Sequence, residues 1–221
     1  MIKIITTSDG SHSLLNEELD ETYHSKHGAV QESMHVFIKN GLEYYPKDDV
    51  NIFEVGFGTG LNALLTALSN KRVNYTAIEA FPISEEIVNL LNYSPQDLLK
   101  QLHINPKFEI TNFKLNKIHT TLQSITLDPI YDIIFFDAFA PSKQPEMWEF
   151  PMIEKVCNAL VPGGLFVTYC AKGQLKRDLK TLGMQVETLV GPPGKKEMVR
   201  ATKSYSAELH RGSTEFHREM H

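Results

Sequence analysis

Residues 52–65 read IFEVGFGTGLNALL and set the architecture of the whole chain. The apolar residues before Gly56 predict a buried parallel strand, because such strands are covered by helices on both faces. Gly56, Gly58 and Gly60 allow the backbone to turn sharply and leave room for a ligand beside it. The run 61–69 then predicts a helix whose first amides face the same crevice. We therefore expect a strand, a glycine turn and a helix around a ligand site.

The spacing of the glycines favours one class of ligand. Dinucleotide sites carry the pattern G-x-G-x-x-G, whereas this turn reads G-x-G-x-G and follows Glu54. A second predicted strand, 73–78, ends at Glu79, whose carboxylate can bind both hydroxyls of a ribose. A carboxylate at position 54 repels a pyrophosphate but not a cationic sulfonium. The pattern resembles class I S-adenosylmethionine methyltransferases; a nicotinamide site and a purely structural glycine turn are the alternatives.

The composition is that of an ordinary globular protein. With 221 residues, of which 42% are hydrophobic and 22% charged, the chain is long enough for one sizeable domain. Its apolar runs are too short to span a membrane, and its N-terminus lacks the apolar core of a signal peptide. Two cysteines and no paired histidine spacing predict neither a disulfide scaffold nor a metal site. We expect a cytoplasmic protein without a bound metal and without membrane association.

The charges are distributed unevenly along the chain. The net charge is −5, but residues 172–203 carry eight cations and three anions, and therefore a local charge of +5. A basic end on an acidic body can bind a polyanion, or it can be a solvated helix face with an exposed hairpin. Charge alone does not separate these two interpretations.

Hydrophobic runs and turn signals predict alternating strands and helices around the glycine turn. The predicted strands cover 51–55, 73–79, 131–137, 165–170 and 184–190, with one or two more within 108–118. The predicted helices cover 60–70, 83–92, 95–103, 148–160 and 173–182, and a turn is expected over 161–164. This alternation is typical of an α/β fold with a Rossmann-like sheet and helices on both of its faces.

The segment before this core is predicted to be mostly irregular. Residues 1–27 contain a short strand over 2–6, and a helix is expected from Gly28 to the pair Asn40-Gly41. Glu32 and His35 on this helix are predicted to be solvated, although both could reach the crevice. We assign residues 1–45 to an N-terminal extension, 46–203 to the methyltransferase domain and 204–221 to a polar tail.

A second chemical motif lies at 131–141, which reads YDIIFFDAFAP. Its apolar run predicts a buried strand that ends at Asp137, beside the glycine turn, because ligands of open α/β sheets bind at this edge. A carboxylate there can hold an amine and accept its proton before the amine attacks a methyl group. Phe139 can pack on a flat base or on the cofactor. A loop-capping role is the structural alternative for Asp137, and Trp148 is predicted to be a packing anchor.

Together these motifs resemble those of MnmD-type tRNA methyltransferases, a family that also forms the methyltransferase half of bifunctional MnmC proteins. The resemblance covers roughly residues 8–202, includes Tyr23-His24-Ser25 near the N-terminus, and is most specific in DAFAP at 137–141 and KKEM at 195–198. It implies N-methylation by S-adenosylmethionine of 5-aminomethyl-2-thiouridine at the tRNA wobble position, giving 5-methylaminomethyl-2-thiouridine. It also implies a separate flavin-dependent enzyme upstream, because we expect these 221 residues to lack the flavin domain of the bifunctional relatives.

The resemblance also implies roles for individual residues. Asp137 is the catalytic candidate beside the target amine. The candidate cofactor-binding residues are Glu54, Gly56, Phe57, Gly58, Gly60, Asn62, Glu79, Ala80 and Asp137. The candidate substrate-binding residues are Phe139, Pro141, Lys195 and Lys196, with the lysines on phosphates of the anticodon stem-loop.

Two questions stay open at this stage. The adenine contact is unassigned, because no acid stands where this superfamily often carries one, and Thr120 or a backbone group are the candidates. The alternative functions are transfer of a methyl or aminopropyl group to a small amine, and a non-catalytic module that binds S-adenosylmethionine or tRNA.

Overall fold

The computed structural model describes residues 1–205, which contain two β-sheets and six α-helices. The strands are β1 (Ile2–Thr6), β2 (His12–Asn16), β3 (Glu21–Thr22), β4 (Asp49–Val55), β5 (Arg72–Glu79), β6 (Lys107–Ile110), β7 (Phe113–His119), β8 (Tyr131–Phe136), β9 (Leu160–Thr168), β10 (Met184–Val190) and β11 (Glu197–Lys203). The helices are α1 (Ala29–Ser33), α2 (Leu61–Ala67), α3 (Glu85–Leu90), α4 (Gln96–Ile104), α5 (Phe150–Asn158) and α6 (Gly173–Thr181). None of the helices in this part of the chain has both the length and the apolar character needed to cross a bilayer.

The larger sheet has eight strands in the order β10-β11-β9-β8-β4-β5-β7-β6. Strands β9, β8, β4, β5 and β7 run parallel, whereas β11 and β6 pair antiparallel on the two sides. The reversed final hairpin β10–β11 and the central parallel strands confirm the predicted Rossmann-like α/β class. This order places the ends of β4, β5 and β8 next to one another.

Alternate residues of the central strands face two different layers of helices. Ile52 and Phe135 belong to the core under α2, α4 and the N-terminal helix, and both are fully buried. Phe53 and Phe136 belong to the core under α5 and α6, and are likewise fully buried. The two-residue period of a strand thus fills both faces with apolar side chains, which explains the continuous apolar runs in the sequence.

The N-terminal segment is more ordered than the sequence analysis predicted. β1, β2 and β3 form a separate antiparallel sheet, so the expectation of a mostly irregular segment over 1–27 is wrong. The turn between β1 and β2 is stabilised by Asp9, whose carboxylate accepts hydrogen bonds from Thr7, Ser11 and the Gln31 amide. In the sequence these short polar residues are typical of a loop. In the structure their hydrogen bonds link the small sheet to the start of α1.

Three other predicted boundaries are also corrected. The N-terminal helix continues beyond Asn40 as a π-helical segment, Met34–Leu42, and Gly41 lies against the Phe135 ring where a side chain would crowd it. The turn expected over 161–164 lies within β9, with an irregular register opposite β8. Trp148 closes a 3₁₀ turn, Pro145–Trp148, so α5 begins two residues later than predicted. The predicted tail 204–221 lies almost entirely outside the described residues.

Candidate active site

The carboxyl ends of β4, β5 and β8 open into one cavity of about 860 Å³. Backbone hydrogen bonds join these strand ends: the amides of Gly56 and Phe57 donate to the Ile78 carbonyl, at 3.1 and 3.2 Å. The Asp137 amide donates to the Val55 carbonyl at 3.0 Å. The glycine turn, Glu79 and Asp137 therefore meet at one place, as the topology of an open α/β sheet requires. The volume suits a nucleoside-sized ligand together with part of a second molecule.

The glycine turn is shaped by positions where a side chain does not fit. Gly56 has φ +87°, and a Cβ there would lie 2.8 Å from the backbone carbonyl oxygen of Asp137. Gly58 has φ +51°, and a Cβ there would lie 3.3 Å from the Tyr23 ring. These two positions keep the floor of the cavity open and hold the backbone close to Asp137.

We expect Gly56→Ala to destabilise the fold more than Gly183→Ala does. Both glycines have positive φ, but a Cβ at Gly183 (φ +75°) would meet no atom within 4 Å. The two variants share the backbone strain, and only Gly56→Ala adds a clash, for which we expect about 1–3 kcal/mol of unfolding free energy. Urea unfolding of both variants measures this difference. Equal losses of unfolding free energy in the two variants would show that the structure accommodates the added Cβ beside Asp137 without strain.

Glu79 lies at the end of β5 with its carboxylate fixed by the backbone. Oε2 accepts from the Gly58 amide and Oε1 accepts from the Phe81 amide, both at 2.8 Å. These charge-assisted bonds leave further lone pairs of the half-buried carboxylate directed at the cavity. The geometry fits the predicted role in binding a ribose.

Asp137 lies at the end of β8 and is linked to Glu54 through Asn62. The Asn62 amide nitrogen donates to Asp137 Oδ2 at 2.8 Å and to Glu54 Oε1 at 2.9 Å. Burial, followed by the nearby charge of Glu32, raises the pKa of Asp137 to about 7. An acid with such a pKa can both hold an ammonium group and take its proton near neutral pH.

Glu54 differs from the expectation that its charge selects the ligand. Its side chain is fully buried, Oε2 has no hydrogen-bond partner, and burial raises its pKa well above the ordinary value. Burial therefore favours the neutral form of Glu54, so its charge does not carry the argument against a pyrophosphate. The carboxylates that line the cavity are those of Glu18, Glu21, Glu32, Glu79, Asp137 and Glu146, and its lining also contains Lys143 and Lys195.

Aromatic side chains form one wall of the cavity beside Asp137. Tyr23 meets Phe139 edge to face, with ring centroids 5.0 Å apart. The Trp148 indole donates to the Phe139 carbonyl at 2.8 Å, and its ring packs on Phe136, as expected of a packing anchor. The Tyr169 hydroxyl donates to the Ala138 carbonyl at 2.8 Å. The loop after β8 is thereby held rigidly around a slot that suits a flat ring.

Glu32 was predicted to be solvated, and this prediction is wrong. Glu32 is buried in the cavity wall, where Oε2 accepts from the Ser25 amide at 2.6 Å. Its Oε1 binds the Lys195 ammonium, which reaches in from the β10–β11 hairpin loop. His35 is also held in place, because its Nε2 forms a hydrogen bond with the Val190 carbonyl at 2.8 Å. Lys195 therefore lies inside the site, rather than on the outer surface of the basic segment.

The opposite end of the cavity is formed by the residues after β5 and β7. Ala80, Phe81 and Pro82 lie on one side, and the segment 120–123 lies on the other. Phe81 is 77% exposed, so its ring offers an apolar face to a ligand. Thr120, which the sequence analysis named as a possible adenine contact, lies in this wall.

Most of the predicted site residues meet in this cavity. It is lined by Gly56, Phe57, Gly58, Asn62, Glu79, Ala80, Asp137, Phe139 and Lys195. Four predicted residues are not part of its lining: Glu54, Gly60, Pro141 and Lys196. The sequence analysis missed Tyr23, His24, Glu32 and Tyr169 as lining residues. The Tyr23-His24-Ser25 similarity to the family was the one signal that could have pointed to the first two.

Comparison with known proteins gives three kinds of match. A family model described as S-adenosyl-L-methionine-dependent methyltransferase matches residues 82–204. The tRNA 5-methylaminomethyl-2-thiouridine biosynthesis bifunctional protein MnmC of Marinomonas sp. (strain MWYL1) is 29% identical over 91% of this chain and 35% of its own length. The protein of the same name from Leptospira interrogans is 31% identical over 87% of this chain and 34% of its own. The chain thus spans about a third of the curated relatives it matches.

Solved structures of other proteins have the same fold as this chain. MNMC2 from Aquifex aeolicus superposes with a TM-score of 0.76 at 24% identity, covering 95% of this chain and 74% of that one. A 1,6-didemethyltoxoflavin-N1-methyltransferase from Burkholderia thailandensis, solved with bound 1,6-didemethyltoxoflavin and S-adenosylhomocysteine, gives a TM-score of 0.51 at 14% identity. It covers 80% of this chain and 79% of that one.

Proposed function

This chain belongs to the S-adenosyl-L-methionine-dependent methyltransferase family, and from this membership we propose that it methylates the amine of 5-aminomethyl-2-thiouridine at the tRNA wobble position. The product is 5-methylaminomethyl-2-thiouridine. The similarity to proteins named for the biosynthesis of that nucleoside supports the choice of substrate. A tRNA substrate also implies that the enzyme acts in the cytoplasm.

The observation that carries this proposal is the position of Asp137. Its carboxylate lies where the glycine turn meets the slot formed by Tyr23 and Phe139. A base in that slot brings a short aminomethyl arm to the carboxylate, while a donor beside the turn is within reach of the same amine. Single-stranded loop bases leave their stack for such pockets at modest cost, which suits a wobble base.

The cavity fits S-adenosylmethionine, the cofactor of the family. A Cβ at Gly58 would meet Tyr23, so the turn leaves a cradle that side chains would close. Glu79 would hold the ribose, and Phe81 with the 120–123 segment would bracket the adenine. The cofactor supplies its methyl group as a sulfonium, leaving S-adenosylhomocysteine when the N–C bond has formed.

The protein's own groups supply position and a proton acceptor. The acceptor arm arrives as an ammonium, which the carboxylates of Asp137 and Glu32 attract into the cavity. Asp137 takes one proton from the ammonium, which frees the lone pair of the amine nitrogen for attack on the methyl carbon. Asn62 keeps the Asp137 carboxylate oriented during this transfer, and the rigid loop after β8 fixes the base.

The exposed cations near the β10–β11 edge would bind tRNA phosphates. Lys172 immediately precedes α6, Lys180 lies in its last turn, and Lys196 lies in the hairpin loop; all three are exposed. We expect the double variant Lys172→Glu and Lys196→Glu to lower the slope of log Kd against log salt by about two, since each phosphate contact adds about one. Filter binding of tRNA at a series of salt concentrations measures this slope.

A matched control uses Lys107→Glu and Lys114→Glu, which make the same charge change at the opposite edge of the sheet. This control should leave the slope close to that of the wild type. Equal slopes for both double variants would contradict a phosphate-binding role for the α6 and hairpin face.

The direct test of the proposed function is methyl transfer to defined tRNA. tRNA that carries 5-aminomethyl-2-thiouridine is incubated with the protein and methyl-labelled S-adenosylmethionine, and its nucleosides are separated by mass spectrometry. We expect label in 5-methylaminomethyl-2-thiouridine alone. Label only in a small amine, with turnover insensitive to salt, would overturn the tRNA assignment, and no label in any acceptor would favour a binding module. The separate flavin-dependent enzyme upstream stays a prediction.

A further inference from the structure

The Glu32–Lys195 ion pair joins two distant parts of the chain at the acceptor end of the cavity. Glu32 comes from α1 and is only 5% exposed, while Lys195 comes from the β10–β11 hairpin loop. The Lys195 ammonium also lies 3.6 Å from the centroid of the Tyr169 ring. Tyr169 in turn donates to the carbonyl of Ala138, the residue after Asp137. The pair and the catalytic candidate therefore share one wall of the site.

The burial of the Glu32 carboxylate in this pair is a reason to look for a functional role, whereas the Lys195 side chain stays 32% exposed. Removing a charge from water is costly and an ion pair seldom repays that cost, so the pair is weak evidence for stability. The link between this helix and the hairpin does not depend on the pair alone, because the His35 Nε2 also hydrogen-bonds the Val190 carbonyl in the same hairpin. The distinctive property of the pair is its position, since one charge of each sign lines the same cavity as Asp137.

Burial favours the neutral form of the other titratable groups packed around Asp137. Burial raises the pKa of Glu54, Tyr75 and Tyr169 well above their ordinary ranges, and Asn62 carries no charge. Burial lowers the pKa of His24 to about 4, so it too is uncharged. Glu79 lies on the cofactor side, bound by the amides of Gly58 and Phe81. The cavity lining also contains Glu18, Glu21, Lys143 and Glu146, but the charges that act on the Asp137 carboxylate are those of Glu32 from α1 and Lys195 from the hairpin.

We propose that Glu32 and Lys195 are positioning residues that set, through their opposite charges, whether Asp137 is ready to take the proton of the acceptor amine. This inference rests on the proposed function, because it needs an amine acceptor at Asp137. Lys195 favours the ionised carboxylate, and Glu32 disfavours it while holding Lys195 at a fixed distance. Losing either partner leaves the other charge uncompensated beside Asp137.

The two single variants should move the acidic limb of the kcat/KM profile in opposite directions. In Lys195→Met the carboxylate loses its cation and keeps Glu32, so the limb moves to higher pH by about one unit. In Glu32→Gln the Asp137 carboxylate loses a neighbouring anion, and the Lys195 ammonium loses its partner. The limb therefore moves to lower pH by about one unit. Initial rates are measured with modified tRNA from about pH 5.5 to about pH 9, a range of about two units around neutrality. They give the acidic limb of each variant.

The double variant Glu32→Gln with Lys195→Met separates charge from structure. Both charges are absent, so we expect its limb to return to within about half a unit of the wild-type position. A structural disturbance would instead add up over the two substitutions. The control pair is Lys114→Met and Glu109→Gln, an exposed ion pair of 2.9 Å on the opposite edge of the sheet, which should leave the limb in place.

Thermal unfolding and S-adenosylmethionine titration establish that each variant is folded. Limbs that stay fixed, or that move in the same direction in both single variants, would overturn the inference. If a variant does not fold, the other single variant and the double variant still decide the direction. Wild-type protein without activity on the modified tRNA would refute the proposed function instead, so the two failures are distinguishable.

Discussion

Asp137→Asn is expected to lower kcat for methyl transfer by a factor of about 10²–10⁴, the usual contribution of a positioned proton acceptor. The asparagine has nearly the same shape but no charge and no basic oxygen of comparable strength. It still reaches the Asn62 side chain, so the loop after β8 should keep its position. The ammonium of the acceptor then keeps its proton, and its nitrogen has no lone pair for attack.

The affinity for S-adenosylmethionine should change little in the same variant, because Glu79 and the glycine turn are intact. Single-turnover kinetics gives the rate of the chemical step, and calorimetric titration gives the cofactor affinity. Asp97→Asn, on the exposed side of α4, is the matched control and should behave as the wild type. Undiminished turnover in Asp137→Asn would exclude the proposed role, and loss of cofactor affinity alone would assign Asp137 to binding.

Glu79→Gln is expected to weaken S-adenosylmethionine binding by a factor of about 10–100, since hydrogen bonds to a charged group contribute about 1.5–3 kcal/mol each. The carboxylate currently accepts from the amides of Gly58 and Phe81 and would also accept from ribose hydroxyls. An amide side chain has one acceptor oxygen, so at least one of these donors is left without a partner.

Calorimetric titration of the cofactor measures this loss, and saturating cofactor should restore most of kcat. Glu85→Gln is the control, because Glu85 is exposed in the first turn of α3 and is not part of the cavity wall. Equal affinities of Glu79→Gln and the wild type would exclude Glu79 as the ribose ligand.

The central sheet and its catalytic edge could be predicted because their signals are local. The apolar runs before Gly56 and Asp137 identify buried strands, and an open α/β sheet brings the ends of such strands together whatever the intervening chain does. The resemblance to MnmD-type methyltransferases, stated from motifs at this edge, is confirmed by the family model and the MnmC relatives. The order and spacing of a few short motifs were sufficient to identify the family.

The charges of the site could not be predicted in the same way. Glu32 reads as a solvated position on an amphipathic helix, because its partner Lys195 lies 163 residues away in the chain. Glu54 reads as a charged acid, because its burial depends on the helix that closes over it. The small N-terminal sheet depends on the pairing of β1 with β2 and on the hydrogen bond that Asp9 accepts from the Gln31 amide, 22 residues away. Each of these features follows from long-range contacts, on which a local pattern carries no information.

Trp148 gives this protein a built-in optical probe. It is the single tryptophan of the chain, and its indole is bonded to the carbonyl of Phe139, in the wall that would receive the base. Its emission therefore reports on the polarity and motion of that loop without any chemical label. Stopped-flow fluorescence could follow docking of the RNA base in real time, and could separate its arrival from the later methylation step.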